Sequence, residues 1–302
     1  MEELKNATVV RKELYRLFRS VIDMERMTTR IIYNTAGAGD LKLLEGTLRV
    51  IPEVKAQLAQ LHCGTLRALD ESLETLSDVA DSIGNTIMEN PAGTLKDGNL
   101  IRNGANEVVD ELRLMVLDGK AWLAKIEQLE KERTGIRTLK VGYNKVFGYY
   151  IEVSKSFAGS VPSNYIRRQT LANSERYVTD ELKDMESRIL SAKERLFALE
   201  YEIFQKLREV ILQSAERIKK AAAVLAELDV YTSFATTAAD LQMVRPLVDD
   251  SDGLSITEGR HIVVEKHLKK TYFVPNDCRF DGESERLLLI TGPNMAGKST
   301  YM

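Results

Sequence analysis

The sequence predicts a mainly α protein: a helical bundle, then two long antiparallel helices with a small β module at their tip, then the start of an α/β segment. Three observations carry that prediction. No Gly occurs between Gly159 and Gly253 and no Pro between Pro162 and Pro246, and this stretch sets an apolar residue at every seventh position. Directly before it, residues 139–154 switch to aromatic and β-branched side chains. Near the end, Gly292–Ser299 satisfies G-x-x-x-x-G-K-[ST] behind the apolar run Leu287–Ile290.

Composition narrows the class further. A chain of 302 residues has room for two or three domains. With 44% hydrophobic and 29% charged residues it has plenty to bury, and 6 Pro and 18 Gly exclude collagen-like and low-complexity readings. Aromatics at 7% are thin for an all-β protein. The net charge of −3 means that any nucleic-acid signal must be local. Cys63 and Cys278 are far apart and suit a reducing compartment. With no membrane-length apolar run and no signal peptide at Met1–Lys5, the expectation is a soluble cytoplasmic protein.

The first hundred residues read as short helices. Leu14, Leu17, Phe18, Val21 and Ile22 follow a helical period until Gly37 and Gly39 break it. Leu41, Leu44 and Leu48 begin a second helix, Pro52 opens a third beneath Val54 and Leu58, and a fourth runs from about Thr65 to Met88. His62 beside Cys63 reads as structural, because no further ligands sit at metal-binding spacing. A longer helix from about Ala105 to Arg133 sets Val109, Leu112, Met115, Trp122, Ile126 and Leu129 on one side, and Gly135 ends it.

Residues 139–154 then read as a β-hairpin or short meander turning near Tyr143-Asn144-Lys145. Over 139–176, Lys140, Lys145, Lys155, Arg167, Arg168 and Arg176 stand against only Glu152 and Glu175, among six of the chain's twenty aromatics. Dense positive charge with little acid is what phosphate contact requires, since released counterions drive binding. A solvated face over an aromatic core fits the same residues.

In the long regular stretch, Leu182, Ile189, Leu196 and Ile203 recur every seven residues beside Met185, Ala192 and Leu199. The seam then steps by one residue to Phe204, Ile211, Ile218 and Leu225, with Leu207, Ala221 and Leu228 alongside. A straight helix against a fixed partner drifts in this way because its 3.6-residue turn does not match a 3.5-residue seam. About 60 helical residues would span about 90 Å. The chain thus goes out along the 105–133 helix, forms the basic tip and returns. Past Pro246, Ile262-Val263-Val264-Glu265 and Leu287–Ile290 read as strands.

In the phosphate-loop motif, glycines let backbone N–H groups turn onto phosphates, Lys298 reaches the terminal phosphates, and the Ser299 hydroxyl is placed to hold Mg²⁺. The chain stops at Met302, so the helix after the loop is expected to be one turn long.

At this point the residues resemble the MutS family of DNA mismatch-repair ATPases. Thr291-Gly-Pro-Asn-Met-Ala-Gly-Lys-Ser-Thr-Tyr301 is similar to that family's phosphate loop, Leu139–Tyr150 and Tyr165-Ile-Arg-Arg-Gln-Thr-Leu171 to its clamp, and Glu258-Gly-Arg-His261 and Phe273-Val-Pro-Asn276 to the opening of its ATPase domain. Ile262 departs from the family's usual Pro. The resemblance implies a helical core and outgoing lever helix over 1–134, a DNA-binding β clamp over 135–178, a returning lever and core over 179–245, and the truncated start of an ABC-type ATPase domain over 246–302. It implies ATP or ADP with Mg²⁺ as cofactors. Phe273 would stack on adenine and the Val274 backbone would read its edge, with Gly292, Pro293, Asn294, Met295, Ala296, Gly297, Lys298, Ser299 and Thr300 around the phosphates. Lys298 and Ser299 would be the catalytic groups and Ser299 the magnesium ligand. Asn144, Lys145, Arg167, Arg168, Gln169, Thr170 and Asn173 would contact duplex DNA, through its phosphates and without reading sequence.

For the full-length protein the resemblance also implies a homodimer on mismatch-containing DNA, a MutL-type repair partner, no membrane, and a cytoplasmic, nucleoid-associated location. The chain reads as the excised middle of such a protein, lacking the mismatch-reading domain, acidic strand, ABC signature and dimerising region, and so inactive alone. Two other classes fit parts of the sequence. In a chromosome-organising ATPase of the SMC type the phosphate loop precedes the coiled arms, whereas here the arms come first. A non-catalytic coiled-coil scaffold leaves Gly292–Ser299 and the basic tip unexplained.

Overall fold

The chain opens with α1 (Glu2–Asn6) and α2 (Thr8–Phe18). The computed structural model describes residues 1–93, 98–144, 148–268, 272–294 and 297–302. These fall into two units, Lys12–Val230 and a second made of Met1–Arg11 with Tyr231–Met302.

The larger unit begins as a bundle. α3 (Met24–Ile32) starts at Asp23, whose side chain accepts from the Arg26 N–H, so Val21 and Ile22 lie in a turn between helices and not in the predicted first helix. α4 (Ala38–Leu58) is one helix with Pro52 inside it, where the sequence pointed to two. Proline removes one helical hydrogen bond, but Ile51 and Val54 on either side are both fully buried and hold the two halves on one core. The predicted fourth helix is likewise two, α5 (Gly64–Ser72) and α6 (Ser77–Thr86). Between them Leu73 and Leu76 are buried, with Leu76 in the left-handed region at φ 52°, so burial overrides helical continuity.

α7 (Glu107–Thr134) has the local signals for its ends: Asn106 caps it by accepting the Val109 N–H, and Gly135 closes it at φ 71°. Its buried stripe is Val109, Leu112, Val116, Leu123 and Ile126, whereas Met115 and Leu129, predicted on that face, are exposed. The β module follows as β1 (Lys140–Asn144), β2 (Gly148–Ser154), a 3-10 turn at Lys155–Ser160, β3 (Ile166–Thr170) and β4 (Ser174–Val178). These make one antiparallel sheet in the order β1-β2-β4-β3.

The return arm is α8 (Asp180–Gln213), capped by Thr179, and α9 (Ala215–Asp240), which runs across the division between the units. Ser214 interrupts what the periodicity predicted as one helix. The seam step is present: Leu182, Ile189 and Leu196 are buried, then Phe204, Ile211, Ile218 and Leu225. It takes place at Glu200, which fills the seam between Leu196 and Phe204 and is 0% exposed. α7 and α8 run antiparallel, since Leu123 meets Leu182 and Ile189 near the module while Arg113 meets Glu200 farther from it. They come close at Gly119, where an added Cβ would lie 2.4 Å from the Ile189 side chain.

The second unit contains β5 (Leu254–Gly259), α10 (Ile262–His267), β6 (Asn276–Phe280) and the short α11 (Lys298–Tyr301). β5 and β6 pair as an antiparallel ribbon. Ile262–Glu265, predicted as a strand, lies in a helix that His261 caps by accepting the Val264 N–H. Leu287–Ile290, also predicted as a strand, has no regular structure, and Leu287 and Leu289 are exposed. A strand needs a neighbour for its backbone groups, and β5 and β6 pair with each other and not with this run. Among the described residues no helix is long and apolar enough to cross a membrane.

Candidate functional site

The β module is fastened to the arms by a shared core. Ile151, Val153, Tyr165 and Tyr177 pack with Ile136 and Leu139 and with Leu123, Leu182 and Ile189 of α7 and α8. Carboxylates of the arms add three polar ties: Glu127 accepts the Val141 N–H at 2.9 Å, Glu130 accepts the Tyr165 hydroxyl at 2.6 Å, and Glu186 accepts the Tyr149 N–H at 3.3 Å. Gly148 is required at this last tie, because its φ is 74° and a Cβ would fall 2.1 Å from the Glu186 carboxylate. The aromatics therefore build the module. Tyr165 and Tyr177 are buried, Tyr149 and Phe157 pack on the core, and Tyr143 leans on Tyr149 at 4.9 Å between centroids.

The cations sort into different states. Arg176 is used internally: its guanidinium lies 4.1 Å over the Tyr150 ring, its Nε donates to Glu152 at 2.9 Å, and its Nη1 donates to the Gln169 oxygen at 2.9 Å. The bond from Arg176 holds the Glu152 carboxyl below its ordinary range, against the opposing effect of burial. Arg167 is exposed but pairs with Glu175 at 3.3 Å. Glu175 in turn accepts the Tyr177 hydroxyl, and burial together with that bond pushes the Tyr177 phenol up to about 12.

Arg168 differs. The ladder pairs Arg167 with Tyr177 and then Gln169 with Arg176, so Arg168 is the extra residue of a bulge on the edge strand. It is exposed and makes no ion pair among the described residues. Thr170 and Asn173 are exposed beside it, Gln169 is half-buried, and Asn144 ends the opposite edge strand. Lys145 lies outside the described residues. The structure thus gathers Arg167, Arg168, Gln169, Thr170 and Asn173 at one edge and leaves Asn144 at the other. Sequence reasoning passed over Lys155 as a neighbour of that edge: its N–H donates to the Asn173 carbonyl at 3.1 Å and its side chain is exposed.

In the second unit, Phe273, Val274, Thr291, Gly297, Lys298 and Thr300 line one cleft of about 740 Å³. Ser299 lines an adjoining cleft of about 780 Å³ with Phe273, Ile290 and Tyr301. Gly292, Pro293 and Asn294 are exposed, and Met295 and Ala296 lie outside the described residues. Gly297 adopts φ 84° at the start of α11, and Lys298 Nζ turns back to donate to the carbonyls of Gly292 at 2.5 Å and Pro293 at 3.2 Å. No three His, Cys, Asp or Glu side chains gather to hold a metal among the described residues. The exposed Ser299 hydroxyl, with Thr300 and the Asp277 carboxylate lining the clefts beside it, makes a sparse oxygen set of the kind that suits a magnesium ion carried mainly by phosphates and water.

Residues 104–195, which take in α7, the whole β module and the first part of α8, match the model of MutS family domain IV. Over all 302 residues the chain is 49% identical to the DNA mismatch repair protein MutS of Desulfitobacterium hafniense, covering 100% of this chain and 35% of that protein. It is 46% identical over 299 residues to the DNA mismatch repair protein MutS of Alkaliphilus oremlandii, covering 99% of this chain and 34% of that protein. It is 45% identical to that of Ruminiclostridium cellulolyticum over 302 residues, covering 35% of that protein. The chain belongs to the MutS family. It spans about a third of the length of the MutS relatives it matches. Identity along both arms, the module and the 246–302 segment favours the MutS reading over a chromosome-organising coiled coil.

Proposed function

We propose that the β module is a clamp that holds duplex DNA by its phosphates, and that α7 and α8 are levers linking it to an ATP-binding segment in DNA mismatch repair. The observation that supports this most directly is the edge strand β3, where Arg168 projects from a bulge with no ion pair among the described residues, beside Arg167, Thr170 and Asn173. An unneutralised guanidinium at a sheet edge can displace a counterion from a phosphate, whereas a paired one gains less. In this reading the contacts go to phosphates, and such contacts carry no sequence preference.

For the nucleotide, Phe273 and the Val274 backbone would take the adenine, and Gly292, Pro293, Asn294, Met295, Ala296, Gly297, Lys298 and Thr300 the phosphates. The Ser299 hydroxyl would ligate Mg²⁺, whose role is to neutralise charge on the terminal phosphates. The shared cleft of Phe273, Val274, Gly297, Lys298 and Thr300 supports that arrangement. Lys298 would have to exchange the Gly292 and Pro293 carbonyls for phosphate oxygens. In this reading the whole protein works in the cytoplasm as a homodimer on mismatch-containing DNA, with a MutL-type partner.

The deciding experiment is a titration of this chain with a matched and a mismatched duplex at several salt concentrations. Weak binding that falls steeply with salt and ignores the mismatch is expected. Affinity insensitive to salt, or a clear mismatch preference, would sink the clamp reading.

A further inference from the structure

Resting on the reading of the β3 edge as a phosphate-contacting surface, we propose that Arg176 is a positioning residue, which turns the amide of Gln169 outward and does not itself meet DNA. By charge alone Arg176 belongs with the module's other cations. The sheet register sets it in a row across all four strands, Lys140 opposite Glu152, Glu152 opposite Arg176, and Arg176 opposite Gln169. Its Nε is given to Glu152 and its Nη1 to the Gln169 oxygen, both at 2.9 Å, while its face rests on Tyr150. Its side chain is only 18% exposed.

Two consequences follow from the chemistry of these groups. An arginine can only donate, so the Gln169 oxygen must face inward and the amide NH₂, with two N–H donors, faces away from Arg176. That NH₂ belongs to the residue directly after the bulged Arg168, on the same edge strand. A Gln without this partner rotates, and in half of its orientations it would turn a carbonyl oxygen toward a phosphate. The second consequence concerns charge. Glu152 neutralises Arg176 within the sheet, so Arg176 releases no counterion when DNA binds.

The test is fluorescence-anisotropy titration of the 302-residue chain with a matched duplex across a salt series. Arg176→Ala and Gln169→Leu are each expected to weaken binding about five- to tenfold, the loss of one donated hydrogen bond. The double variant should bind no more weakly than either single one, and Gln169→Leu, which changes no charge, should leave the salt slope as it is. Arg168→Ala should lower that slope by about one. Arg176→Lys, which keeps the charge but lacks the planar fork, should not rescue. Losses that multiply in the double variant, rescue by Lys, or a slope lowered by Gln169→Leu would overturn the proposal. Should Arg176→Ala unfold the module, Glu152→Gln reads the same assignment with Arg176 in place. It is expected to steepen the salt dependence, and an unchanged slope overturns the proposal. Binding without salt dependence in the unmodified chain would instead overturn the nucleic-acid reading on which the inference stands.

Discussion

The Tyr165 hydroxyl donates a 2.6 Å hydrogen bond to the Glu130 carboxylate, tying the chain just before β3 to the far end of α7. Arg133, one turn on, bonds the same carboxylate at 2.7 Å and lies 6.0 Å from the Tyr165 ring. Ring, hydroxyl, carboxylate and guanidinium therefore fix the angle at which the arm meets the strand that carries Arg167 and Arg168. Burial raises the Tyr165 phenol far above its ordinary value and the Glu130 bond adds to this, so the donor keeps its proton at any physiological pH.

Tyr165→Phe is expected to destabilise the module by about 1–2 kcal/mol, because Glu130 loses a donor in a site where its side chain is only 13% exposed. Burial alone would raise Glu130, but its bonds to Arg133 and Tyr165 outweigh it and hold the carboxyl below the ordinary 4.5. A group depressed in the folded state contributes its stability fully above its unfolded pKa and loses it as pH falls through the lower folded one. Urea unfolding from pH 7 down into the acid range should therefore show the difference between Tyr165→Phe and the unmodified chain shrinking below about pH 4.5.

Arg167 and Arg168 should be unequal despite being neighbours. Arg168→Ala is expected to cut duplex affinity and the salt slope more than Arg167→Ala, since Glu175 already offsets part of the Arg167 charge at 3.3 Å. Equal effects in folded variants would mean that Glu175 does not hold Arg167 when DNA is present.

Glu200 in the α7–α8 seam accepts from Arg113 at 2.6 Å, and its other oxygen has no hydrogen-bond partner among the described residues. The same guanidinium donates to the Ile101 carbonyl at 2.8 Å and to Asn103 at 2.6 Å. Glu200→Ala should cost about 2 kcal/mol in chemical denaturation, because it leaves a buried cavity and takes from Arg113 one of its two carboxylates, Asp110 at 3.2 Å being the other. The joint change Arg113→Met with Glu200→Leu should recover much of that loss. A cost below about 1 kcal/mol for Glu200→Ala would show the pair to be dispensable.

Steady-state phosphate release by the 302-residue chain should stay at background, with Lys298→Ala indistinguishable from the unmodified protein. Phosphoryl transfer depends on placement of metal, water and lysine, and here the Lys298 amine rests on its own loop's carbonyls while Leu287–Ile290 joins no sheet among the described residues. Turnover abolished by Lys298→Ala would prove the segment self-sufficient.

How much was legible in the sequence depended on the range of the interaction that decided each feature. The ends of α7 were legible because Asn106 and Gly135 act on backbone groups within four residues of themselves. So were the seam step from Leu196 to Phe204 and the position of the β module, both a matter of spacing along one chain. Packing decided where Pro52 could stay within a helix and where Leu73–Leu76 had to leave one, since buried apolar area outweighs a local preference of about 1–3 kcal/mol. It decided also that Ile262–Glu265 coils and that Leu287–Ile290 pairs with no strand among the described residues. Above all, cross-strand register separated three arginines that look alike in sequence. Arg176 is consumed by Glu152 and Gln169, Arg167 is shared with Glu175, and a one-residue bulge leaves Arg168 to the solvent. Charge is a property of the residue, but its availability depends on which side chain the fold places opposite.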